Sequence, residues 1–345
     1  WYIDQMRRQA YSSPALPIPW QQSEYCEGTN DIVEIEPQIK QQVLDFYRQN
    51  PAQARAQFGD QPFELKNILK YWVRSKDPDQ HVIPTDTLYI TIDKEAVRRS
   101  GMMMADDTIP DKMVISLAGK RALYKGDLML LQILANANWT RPIYVASTMD
   151  TSLYFNLGDN MVTEGLAMRI TPFNTSKPWV KNFDTKKVYD NVMYRFRYGG
   201  LSRPGLYLDK TVMGLCYEHR QLIAKLALNL ITERQPAKAS KALAKAEREI
   251  PTYNVPMTYL SGGADMARAY ALLGQHAKAR ETINAVWTNA EQYARWYLSL
   301  DGTRFAQSRN DCMMQLSIMY KTIQISAMID RQMAAQQTRQ LNELY

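Results

Sequence analysis

Cysteine and histidine are the scarcest chemically active side chains in this sequence, three of each among 345 residues. Cys26, Cys216 and Cys312 stand alone, without any Cys-x-x-Cys pair. His81, His219 and His276 have no histidine four residues away. Zinc sites need closely spaced thiolates and imidazoles, so this spacing argues against one. Buried free thiols are the simplest reading, with a Cys26–Cys216 or Cys216–Cys312 disulfide left open. Long apolar runs are missing too. The longest, Leu128 to Ala135, falls well short of the roughly 20 residues that cross a bilayer. There is no Gly-rich phosphate loop, Ser nucleophile elbow or Cys/His pairing. Nor is there an Arg/Gly-rich arm, zinc finger or helix-turn-helix pattern, so nucleic acid is not an expected partner. The chain begins at Trp1 without a signal peptide, and we read it as a piece of a longer protein.

What is present is an ordinary globular composition with a basic tilt. The apolar fraction is 46%, with 18 Met and 21 Tyr. Met fills irregular gaps between helices. The formal charge is +7, unevenly placed. From Gly200 onward there are 18 Lys and Arg against 12 Asp and Glu; before it, 24 against 23. Such a bias can favour an anionic partner, although a solvated, mildly basic helical surface is the plainer reading.

The stretch from Asp265 to Ala290 predicts two helices around a Gly274-Gln275 turn. Small residues recur at Ala267, Ala269, Ala277 and Ala279, and larger ones fill between them at Met266, Tyr270, Leu273, Ile283 and Val286. This is the pattern of a tetratricopeptide-type hairpin, which must stack on neighbours to bury its apolar face. Thr211–Glu233 and Pro236–Ile250 repeat it, Ala239 corresponding to Ala279, 40 residues on. The ideal repeat is about 34 residues, so Thr252–Gly263 reads as an insertion. Glu291–Leu300 extends the second hairpin, and Asp311–Leu344 reads as one long helix.

The N-terminal half mixes patterns. A helical piece, Ile3–Tyr11, precedes a proline-rich extended run. Helices follow from Pro37 to Asn50 and from Pro62 to Arg74. Thr87–Ile92, Lys112–Leu117 and Pro142–Ala146 read as strands, with helices Lys94–Ser100 and Lys125–Ala137 between them. Strand–helix–strand order implies a parallel crossover. Leu153–Ile170 reads as helical. The expected architecture is an α/β domain over residues 1–175, with a small parallel sheet and flanking helices. A junction over 176–208 and an all-α, tetratricopeptide-like array over 209–345 follow.

Candidate chemistry is sparse. In a parallel sheet, ligands bind beyond the carboxyl ends of the strands. Those ends would hold Asp93, Lys120 and Arg121, with the Asp106-Asp107 pair in a neighbouring loop. Paired carboxylates can bind a cation or move a proton, but a solvated loop is the plainer reading. Arg195, Arg197 and Tyr198 punctuate the junction. Trp287, Tyr293, Trp296 and Tyr297 fall near helical spacing, where core packing is a plainer reading than sugar stacking. Asn138-Trp139-Thr140 and Asn174-Thr175-Ser176 match the N-glycosylation triplet. No metal or cofactor is called for.

Several phrases recur together: Trp1-Tyr2-Ile3-Asp4-Gln5-Met6, Asn138-Trp139-Thr140-Arg141-Pro142-Ile143-Tyr144, Glu164-Gly165-Leu166-Ala167 and Tyr189-Asp190-Asn191. Arg195-Phe196-Arg197-Tyr198-Gly199-Gly200-Leu201 and Gly205-Leu206-Tyr207-Leu208-Asp209 complete the set. Their order resembles the C-terminal soluble part of a family of multi-spanning membrane proteins from Bacteroidota. That family carries a domain of unknown function and is described as protein O-mannosyltransferase-like. Its acidic Gly-Asp-Asn-Asp motif and membrane helices lie upstream of the Trp-Tyr-Ile-Asp segment. The resemblance implies a non-catalytic module on the periplasmic face of the inner membrane, joined to the membrane-embedded part of the same polypeptide. The module would bind an acceptor protein or a glycan, mediate assembly, or face an anionic membrane surface. Two rivals are an enzyme domain acting on a sugar or anionic substrate at the strand ends, and a pure scaffold.

Overall fold

The computed structural model describes residues 2–104, 108–149, 155–173 and 182–344. Asp106, Asp107 and the Asn174-Thr175-Ser176 triplet lie outside them. The chain divides into two compact units. The first comprises Trp1–Thr163 and Ala167–Asn182, the second Glu164–Leu166 and Phe183–Tyr345.

The first unit runs α1 (Tyr2–Met6), α2 (Gln22–Tyr25), β1 (Ile32–Glu34), α3 (Ile39–Gln49), α4 (Pro51–Phe58) and α5 (Leu65–Asn67). A π-helical stretch, Ile68–Val73, continues α5. Then come β2 (Thr87–Thr91), α6 (Lys94–Arg99), β3 (Lys112–Ser116), β4 (Ala122–Tyr124), α7 (Lys125–Asn136), β5 (Tyr144–Ala146), β6 (Met161–Thr163) and β7 (Ala167–Ile170). The Ile3–Tyr11 helix stops early, at Met6. Asn50-Pro51 ends α3 as expected but also starts α4, because proline suits the first helical position, where an amide proton has no partner anyway.

The expected parallel sheet is replaced by antiparallel ribbons. β1 pairs with β4 and β2 with β3, while β5, β7 and β6 form a third sheet; each of these pairings is antiparallel. The reason lies in the faces. In β2 and β3 only alternate residues are buried, Leu88 and Ile90 against Met113 and Ile115. One wet face is the mark of an antiparallel sheet, whereas parallel strands are apolar on both sides. The strand ends therefore do not form the shared crevice on which the enzyme reading rested. Leu153–Ile170 is not a helix either. Within its described part, Leu157–Asn160 is a 3-10 turn, and β6 and β7 follow as a hairpin. Trp20, Leu65, Ile68, Leu88, Ile115 and Leu128 are fully buried at the centre of the unit. Phe58 stacks on Trp72 at 4.7 Å between ring centroids.

The second unit is helical. It contains α8 (Thr185–Asp190), a π-helical turn at Asn191–Arg195, α9 (Lys210–Thr232), α10 (Pro236–Glu249), α11 (Gly263–Leu272), α12 (His276–Leu298), α13 (Gly302–Ile329) and α14 (Arg331–Asn342). α9 packs on α10 and α11, α11 on α12, and α12 on α13, which also packs on α14. Gly274 adopts φ +72° in the turn before α12, a conformation glycine takes without strain. Of the small residues in that hairpin, Ala267, Ala269 and Ala279 are buried, while Ala277 faces solvent. The expected long helix Asp311–Leu344 is broken at Asp330. Its carboxylate accepts from the amides of Gln332 and Met333 and caps α14.

Candidate functional site

The second unit carries a groove of about 870 Å³ walled by α9, α10, α11, α12 and the 251–258 loop. Its floor is built from charge held in place. Arg220 on α9 is 1% exposed, yet its guanidinium donates to three main-chain carbonyls, Ile250 and Val255 at 2.7 Å and Pro256 at 2.9 Å. Burial lowers its pKa to about 10, so it remains a cation at neutral pH. One side chain thus fixes the loop that closes the groove. Asn254 adds to this by donating to the carbonyls of Leu201 and Arg203, and the Tyr253 hydroxyl donates to that of Ser202.

A second knot joins three helices. The Tyr270 hydroxyl of α11 donates to Glu247 of α10 at 2.6 Å, and the Lys278 ammonium of α12 reaches both Glu247 oxygens at 2.7 and 2.8 Å. Burial, then the Glu247 carboxylate, pushes the Tyr270 hydroxyl far above its ordinary range. It stays a donor. Along α12, Lys278, Glu281, Ala285, Thr288, Asn289 and Gln292 recur at helical spacing and line the groove. Met257, Met266 and Pro251 supply its apolar part. Amides and hydroxyls donate and accept at once, so this wall suits a ligand with alternating donors and acceptors.

Close packing brings these walls together. A Cβ on Gly263 would lie 2.5 Å from the Val286 side chain and 2.7 Å from the Thr258 carbonyl. The Ser261-Gly262-Gly263 signal stands in the sequence, where it passed as part of an insertion.

The sequence candidates are scattered. Asp93 caps α6 by accepting from the Ala96 amide, which with other partners holds its carboxyl below the usual range. The Lys120 ammonium lies over the Phe155 ring at 5.1 Å. Arg121 is exposed, and its carbonyl accepts from Ile35. Arg195 and Arg197 are exposed. Tyr198 packs edge-on against His219. Trp287 is core, its indole donating to Glu291, whereas Trp296 is 54% exposed. None of these lines the groove. Cys26, Cys216 and Cys312 are free thiols. Among the described residues, no group of three or more His, Cys, Asp or Glu is placed to hold a metal ion.

Residues 1–190 match the family model for TMEM260-associated domain 2. The chain belongs to this family. The family is associated with a membrane protein, and among the described residues no helix is long and apolar enough to cross a membrane. The match spans the first unit and α8; the groove lies beyond it. No curated protein and no solved structure matches the chain.

Proposed function

We propose that this member of the TMEM260-associated domain 2 family is a non-catalytic binding module of a glycosyltransferase-like membrane protein. In this reading its helical unit takes an extended segment of an acceptor protein. The single observation that carries it is the groove: an α12 wall of Thr288, Asn289 and Gln292 facing apolar Met257 and Met266. A peptide backbone alternates donors and acceptors between side chains, which is what such a wall meets. The α9–α10 and α11–α12 pairs, with buried Ala239 and Ala279, support a tetratricopeptide-like arrangement. The family match and the resemblance to Bacteroidota mannosyltransferase-like proteins support a periplasmic, membrane-tethered setting.

Arrays of overlapping peptides and of glycans, probed with the purified chain and with Ala285→Arg, test this. The long side chain on the α12 wall blocks the groove. Peptide binding lost in the variant supports the reading. Glycan binding lost in the variant would replace the protein segment with a sugar, and signals unchanged in the variant would remove the groove from the account.

Catalysis in the first unit is the second reading, favoured by one observation. Asp93 and the buried Glu64 line a common pocket of about 550 Å³. Intact full-length activity in Asp93→Asn would end it.

A further inference from the structure

A second pocket of about 660 Å³ lies in the first unit, inside the family-matched region. Lys66 of α5, Lys70 of the π-helical stretch and Arg74 just after it line the pocket, with Glu24, Asn67, Gln132 and Asn136 around them. Three cations therefore meet one carboxylate. That carboxylate is already used: Arg74 donates to both Glu24 oxygens at 2.8 and 3.0 Å. Lys66 reaches Glu64 at 3.2 Å but is exposed, with two further donor positions. Lys70 pairs with no carboxylate among the described residues; its ammonium donates to the Tyr71 hydroxyl.

Gln132 makes the pocket more than a basic surface. The residue is 4% exposed, and its Oε1 accepts from the Trp20 indole at 2.7 Å. That bond fixes which way the amide lies. Gln132 lines the pocket, and among the described residues its nitrogen, with two hydrogens, keeps both free to donate. The free donors here are ammonium and amide groups, which suit anionic oxygens. The Asn67 and Asn136 nitrogens donate to the carbonyls of Gln61 and Pro17, leaving their oxygens as acceptors for hydroxyls. Lys70 sits in a π-helical stretch, a distortion that recurs at functional sites.

We infer that this pocket binds a phosphate-bearing polyol, its phosphate held by Lys66, Lys70 and the Gln132 amide. The ligand is either the glycerophosphate headgroup of an anionic lipid or a free sugar phosphate. The inference is independent of the groove, which lies in the other unit.

Calorimetry with glycerol 3-phosphate and glucose 1-phosphate, beside flotation with phosphatidylcholine vesicles with and without phosphatidylglycerol, tests it on the full chain. Gln132→Glu keeps the acceptor for Trp20 and replaces the donor by a carboxylate. Lys70→Glu changes an exposed residue, and Lys76→Glu serves as a charge control outside the pocket. Losing one charge-assisted contact weakens binding about tenfold or more, so Gln132→Glu and Lys70→Glu each do so while Lys76→Glu does not. Binding of the soluble phosphates identifies a free ligand; binding only to phosphatidylglycerol vesicles identifies a headgroup. Either, with that pattern of variants, supports the site. No binding to any probe, or equal loss in Lys76→Glu, overturns it. Should Gln132→Glu fail to fold, Lys70→Glu against Lys76→Glu decides alone.

Discussion

His219 shows how much one side chain can set. Its ring lies 5.3 Å from Phe196 and 5.5 Å from Tyr198, and its Nδ1 has no hydrogen-bond partner among the described residues. Burial, opposed by Glu218, holds its pKa below the ordinary 6.5. The unfolded chain then binds the proton more readily, so stability is lost as pH falls through about 6.5. Urea unfolding at pH 7.5 and 5.5 should show the loss, and His219→Leu should flatten that step. A wild-type midpoint that does not move would contradict it. Glu24 titrates lower. Burial raises its pKa, but hydrogen bonds from Arg74 and the Gln21 amide outweigh this, and the net shift is downward. Its contribution is present above the ordinary carboxylate range and fades as pH falls through the lowered value. Arg220→Met leaves the buried carbonyls of Ile250 and Val255, and the part-buried carbonyl of Pro256, without that donor, at a cost on the order of 3 kcal/mol in chemical unfolding. A change under about 1 kcal/mol would mean that the loop does not depend on it.

None of these three roles was visible in the sequence. A histidine, a glutamate and an arginine carry no pattern until the elements that enclose them are placed. The elements themselves were more legible. Periodicity located α9 to α12 within a few residues, because amphipathic helices repeat their burial every turn. It also located β2, β3, α6 and α7. The antiparallel pairing of β2 with β3 departs from the expected parallel crossover, although TLYIT and KMVIS alternate, which signals one buried face. Met161, Val162, Leu166 and Ile170 fit either a helix or a hairpin, and only tertiary pairing decided. At this scale the tightest point is the start of α11. Gly263→Ala places a methyl against Val286 and the Thr258 carbonyl, overpacking worth about 1–3 kcal/mol. Thermal unfolding of the variant should fall by several degrees, and groove binding should weaken with it. A stability equal to wild type would show that α11 shifts freely.

For the whole molecule, the family match and the groove lie on different parts of the chain. The match covers residues 1–190, and the surface that we assign to recognition lies beyond it in the second unit. The net charge of +7 offers a simpler explanation for any binding to an acidic partner, so salt must separate the two. Groove contacts run through amides and hydroxyls, with Lys278 already satisfied by Glu247. Binding there should depend weakly on ionic strength. The most direct measurement is therefore the affinity of the best peptide from the array for the full chain, from low to high salt, beside Ala285→Arg. Groove recognition gives saturable binding that changes little with salt and disappears in the variant. Binding that vanishes with salt, or survives in Ala285→Arg, would contradict it and leave only a basic surface.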